Sequence, residues 1–187
     1  KLRPEIAEKL GLTADCVVVG GAGDCAAGAV GNGIVKRGIL TASLGTSGVM
    51  FVHSDEPQID KQGRLHTFCH AVNGKWHMMG VTLSAAGSLQ WFVENVCVEL
   101  ATRRGADPYQ TIISEALKVP PGSEGCLFAP YLAGERTPHA DANARACFIG
   151  MTNAHNRGHL GRAVMEGVAM SLRESLEIIK GLNVPVR

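Results

Sequence analysis

An apolar run at residues 16–19, a cysteine followed by three valines, precedes a glycine-rich turn at residues 20–23 and then Asp24. Continuous β-branched residues bounded by glycines are typical of a strand that is buried on both faces. The next stretch, residues 24–35, consists mostly of small residues, which suits a helix packed closely against a sheet. The sequence therefore predicts a strand, a tight turn and a helix in succession, with Asp24 where the turn meets the helix.

The glycine turn before Asp24 supports three interpretations. Gly21, Gly23 and Ala26 have the spacing of a dinucleotide-binding fingerprint. Asp24 argues against it because an anion there would compete with a pyrophosphate, and no acidic residue follows about 20 positions later to bind a ribose. Alternatively, the positive end of the helix keeps Asp24 ionised, so that its carboxylate accepts a proton or binds a hydroxyl group. In the third interpretation, which local sequence favours, Asp24 only caps the helix.

A second turn, Gly-Thr-Ser-Gly at residues 45–48, lies between strand-like runs at residues 39–44 and 49–53. The two runs and the turn predict a hairpin. Such a turn can present several N–H groups to one anion, as phosphate-binding nests do. Taken alone, however, the turn is more simply an ordinary hairpin loop.

The rest of the chain alternates short strands with helices. An Asn-Gly dipeptide at residues 73–74 predicts a second hairpin between residues 65–71 and 76–81. Asp107 predicts the N-terminal cap of a helix, and the aliphatic period of residues 159–180 predicts a long helix. This mixture predicts an α/β or α+β fold with a mixed sheet. Further predicted features are a helix from Ser84, a strand at residues 126–130 and a polar loop at residues 131–145.

Composition and charge exclude several classes of partner. The chain has 187 residues, with 18 Lys and Arg against 17 Asp and Glu, and a net charge of +1. This balance provides no basic surface for a nucleic acid, and no segment approaches the roughly 20 apolar residues of a membrane span. We therefore expect a cytoplasmic protein with no nucleic-acid or membrane partner. The six cysteines are scattered without a Cys-x-x-Cys pair, which predicts reduced thiols.

Two groups of polar residues invite a functional reading. The first could suggest a metal site, but its members fall on strand positions of the second predicted hairpin, so we assign no metal ligand. The second group lies in the long polar loop, where a place near an active cleft and a surface contact are both compatible with the composition. The first group is His66, Cys69, His70 and His77, and the second is Glu135, Arg136 and His139.

A longer motif carries a family resemblance. Residues 146–151 read Ala-Cys-Phe-Ile-Gly-Met, and seven spacer residues separate them from the pair at residues 159–160 and the Ala-Val-Met-Glu segment at residues 163–166. This order matches the more C-terminal sequence signature of the FGGY family of carbohydrate kinases, which the chain resembles over essentially its whole length. The xylulokinase branch of that family is the most similar, on the segments 68–71, 76–77, 83–91 and 130–139.

The resemblance implies an α/β chain with part of an actin-like, ribonuclease H-like ATPase fold. In that family two domains close on a sugar and ATP. Residues 1–36 would form the end of the sugar domain, and residues 37–187 would form most of the ATP domain. The chain would then be the middle of a longer kinase, ending before the adenosine loop and inactive alone. The implied ligands are a small-molecule sugar, ATP and Mg²⁺, and a homodimer is compatible with the family.

The resemblance also assigns roles to individual residues. Asp24 matches the catalytic base, which takes the proton of the sugar hydroxyl as the oxygen attacks the γ-phosphorus. Cys25 follows at a sugar-contacting position where the family usually has Asn or Gln, and a thiol is a weaker hydrogen-bond partner. The second phosphate loop matches Gly45, Thr46 and Ser47, and the nucleotide pocket matches Ala86 and Gln90.

The implied activity is ATP-dependent phosphorylation of a ketopentose, D-xylulose to D-xylulose 5-phosphate. Family members that phosphorylate ribulose, gluconate, fuculose or glycerol are the alternatives within the same class. A second class is a non-catalytic, nucleotide-binding module of kinase-like fold. Asp24 favours the kinase, because a module that transfers no phosphoryl group does not need a base.

Overall fold

The computed structural model describes residues 1–102, 105, 107–182 and 184–186. It is an α/β structure with a four-stranded sheet and a separate two-stranded ribbon. In chain order the elements are α1 (Pro4–Leu10), α2 (Asp24–Gly31), β1 (Leu40–Leu44), β2 (Gly48–Ser54), β3 (His66–Cys69), β4 (Trp76–Thr82), α3 (Ala86–Trp91), α4 (Val98–Ala101), α5 (Pro108–Ala116), β5 (Leu127–Ala129), β6 (Cys147–Ile149) and α6 (Arg157–Gly181). A π-helical turn, Phe92–Val96, continues α3, and a 3-10 turn covers Ser123–Gly125.

The four-stranded sheet is formed by the two hairpins that the sequence predicts. β1 and β2 pair antiparallel around the turn at residues 45–47, and β3 and β4 pair antiparallel around the Asn-Gly turn. Pairing of β2 with β4 joins the hairpins in the order β1-β2-β4-β3. Gly48, the first residue of β2, is opposite Thr82, the last residue of β4. Both hairpin predictions are confirmed, and the first turn lies at the sheet edge where β4 ends.

α6 packs across the sheet, as its aliphatic period predicts. Small residues of the strands allow the helix to approach closely. A Cβ atom on Gly80 of β4 would lie 2.7 Å from Cβ of Ser175, and one on Gly48 of β2 would lie 2.9 Å from Cδ2 of Leu172. The buried side chains between helix and sheet are Met50, Val52, Leu65, Met78, Ile179 and Val184.

A second core lies between α6, α5, the α3 region and the β5–β6 ribbon, and it contains Phe92, Ile112, Phe128 and Val164. Asp107 caps α5 as predicted, since its carboxylate accepts a 2.8 Å hydrogen bond from a backbone N–H of the first turn. The sequence predicts β5 but not β6, which has only three residues. β6 forms because it pairs with β5, and no local sequence pattern predicts that pairing.

The predicted strand at residues 16–19 is wrong. These residues are in no strand, and the three valine side chains are 62% to 80% exposed. A strand needs a neighbour for its N–H and C=O groups, and no strand of the described residues pairs with this segment. The helix predicted after the turn is present as α2.

α6 is the longest helix in the described part of the chain, with 25 residues, and charged side chains line its exposed side. Arg162 and Glu166 form an ion pair of 2.7 Å, and Lys180 and Glu177 form one of 3.3 Å. Among the residues described, no helix combines the length and the apolar character that a membrane crossing requires.

Candidate active site

Asp24 is the first residue of α2, and its side chain is exposed at the helix N-terminus. Gly23, not Asp24, takes the cap position, with φ −60° and ψ 146°. Oδ1 of Asp24 accepts a 2.8 Å hydrogen bond from the N–H of Cys25. The other hydrogen-bond partner of this carboxylate among the described residues is the weakly donating Cys25 thiol. The carboxylate therefore binds the helix end through one oxygen and, being exposed, is accessible to a ligand.

A cleft of about 340 Å³ opens beside Asp24. Asp24, Cys25 and Asn32 lie on the side formed by α2, and Thr41 and Ser43 lie on the side formed by β1. A carboxylate, an amide and hydroxyl groups around one cleft suit a ligand with several hydroxyl groups, because each can donate to or accept from an alcohol.

Cys25 is half-buried in this cleft because it packs against the cluster formed by Ala29, Ile34 and Phe51. Desolvation by this burial raises the pKa of the Cys25 thiol, and the neighbouring Asp24 carboxylate raises it further. The thiol is therefore neutral near pH 7 and offers a ligand only a weak hydrogen bond.

The turn at residues 45–47 is held against the N-terminus of α3. The N–H of Ala86 donates to the carbonyl of Gly45 over 2.9 Å, and the N–H groups of Ala85 and Gly87 donate to the carbonyl of Thr46 over 2.8 and 3.2 Å. Gly87 allows this approach because a Cβ atom there would lie 2.9 Å from the Thr46 carbonyl oxygen. The structure thus brings Gly45, Thr46 and Ala86 together.

Gln90 lies one helical turn after Ala86 and is exposed. Its Nε2 donates a 2.9 Å hydrogen bond to Oε1 of Glu94, so Gln90 is oriented along α3 and does not touch the turn through a hydrogen bond. The backbone N–H groups of Thr46 and Ser47 donate no hydrogen bond to any residue that the structure describes. Two neighbouring free N–H groups and two hydroxyls form a donor set that suits a phosphate.

β1 connects the two parts of the site. Its residues Thr41 and Ser43 line the Asp24 cleft, and the strand ends at Leu44, immediately before the turn at residues 45–47. β1 therefore joins the cleft of Asp24 and Cys25 to the turn at residues 45–47, which contacts Ala86, whereas Gln90 lies further along α3. Sequence reasoning missed Ala85 and Gly87, whose N–H groups hold the turn, although the small residues at the start of α3 were a usable signal.

The predicted histidine group divides in the structure. His70 and His77 are buried with His53, which the sequence did not single out, and the His77 ring stacks on Phe51 at 4.4 Å. Burial, assisted by nearby His70, lowers the pKa of His77 to about 4. His66 is only half-buried. Across the described ranges, no group of three or more His, Cys, Asp or Glu side chains could hold a metal ion.

Comparison with known proteins identifies relatives of the chain. It is 43% identical over 180 residues to a xylulose kinase of Lactococcus lactis, covering 96% of this chain and 34% of the relative. It is 38% identical over 173 residues to a gluconokinase of Bacillus subtilis, covering 90% of this chain and 33% of the relative. The chain thus spans about a third of the length of the relatives that it matches.

A solved structure shows the same fold. The xylulose kinase from Rhodospirillum rubrum superposes with a TM-score of 0.84 at 29% identity, covering 100% of this chain and 36% of that one. This likeness confirms the partial actin-like α/β fold that the resemblance implies. Residues 40–187 match the model of the C-terminal domain of the FGGY family of carbohydrate kinases. The match covers most of the sequence, and the chain belongs to the FGGY family of carbohydrate kinases.

Proposed function

We propose that the protein carrying this chain transfers the γ-phosphoryl group of ATP to a ketopentose, converting D-xylulose to D-xylulose 5-phosphate. The observation that carries the proposal is the 43% identity to a protein named xylulose kinase over 96% of this chain, in a chain with an exposed Asp24 on a cleft. The non-catalytic alternative has no need for that exposed carboxylate.

Asp24 is the base in this proposal. Its Oδ2 accepts the proton of the terminal hydroxyl of the sugar while the hydroxyl oxygen forms a bond to the γ-phosphorus. The bond from the γ-phosphorus to the bridging oxygen of ADP breaks, and the electron pair leaves with ADP. The N–H of Cys25 holds Oδ1 in place, so that the second oxygen has a defined direction.

The turn at residues 45–47 is the phosphate-binding element in this proposal. The free N–H groups of Thr46 and Ser47 and their hydroxyls donate to phosphate oxygens, while Ala86 and Gln90 line the nucleotide pocket. Mg²⁺ bound to ATP would neutralise the charge of the phosphates, and Asp24 is the one carboxylate among the described residues that line the cleft. Residues 1–36 then supply the end of the sugar domain, and residues 37–187 supply most of the ATP domain.

Gluconate is the second candidate substrate, because the gluconokinase relative is 38% identical over 90% of this chain. Cys25 bears on this choice. Its thiol cannot replace the hydrogen bonds of an amide, so the sugar depends more on the other polar groups of the cleft, Asn32, Thr41 and Ser43.

The test is ADP release by the complete encoded protein with Mg-ATP and a panel of D-xylulose, L-ribulose, gluconate and glycerol. We expect D-xylulose to be the best substrate and Asp24→Asn to lower kcat by roughly 100-fold or more. Asp15→Asn is the matched control, because Asp15 is an exposed aspartate that pairs with Lys1 outside the cleft. Full activity of Asp24→Asn would refute the assignment of Asp24 as the base. Preference for gluconate would refute the assignment of D-xylulose as the substrate.

A further inference from the structure

Glu135 is a buried carboxylate in the long polar loop after β5. Its residue is only 2% exposed. Oε2 accepts a hydrogen bond from the Thr82 hydroxyl over 2.5 Å, and Oε1 accepts from the N–H groups of Leu83 and Arg136 over 2.9 and 2.7 Å. No basic side chain of the described residues forms an ion pair with it. Since an unpaired buried charge is costly, these three donors are what keep the carboxylate in place.

Two of the three groups that bind Glu135, the Thr82 hydroxyl and the Leu83 N–H, lie at the end of β4, and the third, the Arg136 N–H, lies in the loop itself. The same loop pairs with this strand through Thr137, whose N–H donates to the carbonyl of Val81 over 3.0 Å and whose hydroxyl accepts from the N–H of Val81 over 3.1 Å. From the other side, the Ser171 hydroxyl of α6 donates to Oγ1 of Thr82 over 3.2 Å. The last residues of β4 are therefore held by the loop and by α6 together.

The end of β4 leads directly into the N-terminus of α3, which holds the turn at residues 45–47. Ala85 follows Leu83 after one residue, and the N–H groups of Ala85 and Ala86 bind the carbonyls of Thr46 and Gly45. A trans peptide unit points its N–H opposite to its C=O. Because those carbonyls point toward α3, the N–H groups of Thr46 and Ser47 point away from α3.

We propose that Glu135 is a positioning residue for the nucleotide: it holds the β4–α3 junction so that the turn at residues 45–47 presents its N–H groups to phosphate. This inference rests on the proposed nucleotide role of the turn. In this proposal Glu135 neither contacts the nucleotide nor acts on it through its charge. It acts through two hydrogen bonds to the junction, one from the Thr82 hydroxyl and one from the Leu83 N–H.

The alternative is that Glu135 only stabilises the fold. Glu166 separates the two roles, because it is also a partly buried carboxylate that binds backbone, accepting from the N–H of Gly122 over 3.1 Å and from Arg162 over 2.7 Å. Glu166 holds a loop against α6, and it makes no hydrogen bond to the β4–α3 junction or the turn.

The experiment is isothermal titration calorimetry of the complete encoded protein with Mg-ADP, together with the melting temperature of each variant. We expect Glu135→Ala to weaken ADP binding about tenfold or more, because the Thr82 hydroxyl and the Leu83 N–H at the junction lose their acceptor. Glu135→Gln retains an oxygen for the N–H groups of Leu83 and Arg136, so its affinity should stay within about threefold of wild type. Glu166→Ala should lower the melting temperature without changing ADP affinity.

A second variant covers the case in which Glu135→Ala does not fold. Thr82→Val has nearly the same shape and removes the hydroxyl that donates to Oε2 and accepts from Ser171, and it should weaken ADP binding by about threefold. ADP affinity unchanged in a folded Glu135→Ala or in Thr82→Val overturns the inference. Equal loss in Glu135→Gln and Glu135→Ala overturns positioning in favour of charge. If the wild type binds ADP but phosphorylates no sugar, the proposed activity fails while the inference is still tested.

Discussion

Acidification should destabilise this protein through the buried histidines of the sheet, and His77 should contribute most. His77 is 3% exposed and stacks on Phe51, and its Nδ1 has no hydrogen-bond partner in the described part of the chain. Burial therefore lowers its pKa from 6.5 to about 4. Nearby His70 has its pKa lowered in the same direction, first by burial and then by His53.

The sign and size of the effect follow from this shift. Between its unfolded and folded pKa values, His77 binds a proton in the unfolded chain but not in the folded one. With His77 neutral in both states, above about pH 6.5, the free energy of unfolding has its full value. It falls as the pH drops toward about 4, because the unfolded chain binds the proton first. The full difference corresponds to about 3 kcal/mol, of which about 2 kcal/mol is lost by about pH 5.

Urea unfolding of the complete encoded protein at about pH 7 and about pH 5 measures this loss. His77→Phe keeps a ring that can stack on Phe51 and cannot be protonated, so its free energy of unfolding should fall by about 2 kcal/mol less than that of wild type. His139→Phe is the control, because His139 is exposed, and it should keep the wild-type pH dependence. Equal pH dependence in wild type and His77→Phe would show that protonation of His77 is not the cause.

Three glycine substitutions test the packing. Gly87→Ala places a Cβ atom 2.9 Å from the Thr46 carbonyl oxygen, so it should weaken Mg-ADP binding about tenfold in calorimetry. Gly31→Ala at the end of α2 meets no atom within 4 Å and should raise the free energy of unfolding by about 0.5 kcal/mol, with ADP affinity unchanged. Gly167→Ala in α6 would overlap the carbonyl oxygen of Phe128 and should cost about 2–3 kcal/mol in urea unfolding. Wild-type ADP affinity in the first variant, a loss of stability in the second, or wild-type stability in the third would contradict the packing described.

Part of the candidate site could be predicted from sequence because its signals are local. A glycine turn followed by Asp24 marks a helix N-terminus, and the Gly-Thr-Ser-Gly turn between two strand-like runs marks a hairpin end. The family resemblance then suggested roles for Asp24 and Ala86, and those roles remain predictions. The contacts between Ala86 and the turn could not be predicted, because they depend on pairing of β2 with β4.

Sequence alone determined the features that adjacent residues encode: both hairpins, the cap at Asp107, the long helix α6 and membership of a family. Only the tertiary structure decided where segments distant in sequence meet. It placed Glu135 on Thr82, 53 residues away, and it stacked His77 on Phe51. It also left the valines at residues 17–19 exposed. The physical reason is that periodicity and turn chemistry act within a few residues, whereas burial and hydrogen bonding of a strand or a buried charge require partners that only folding supplies.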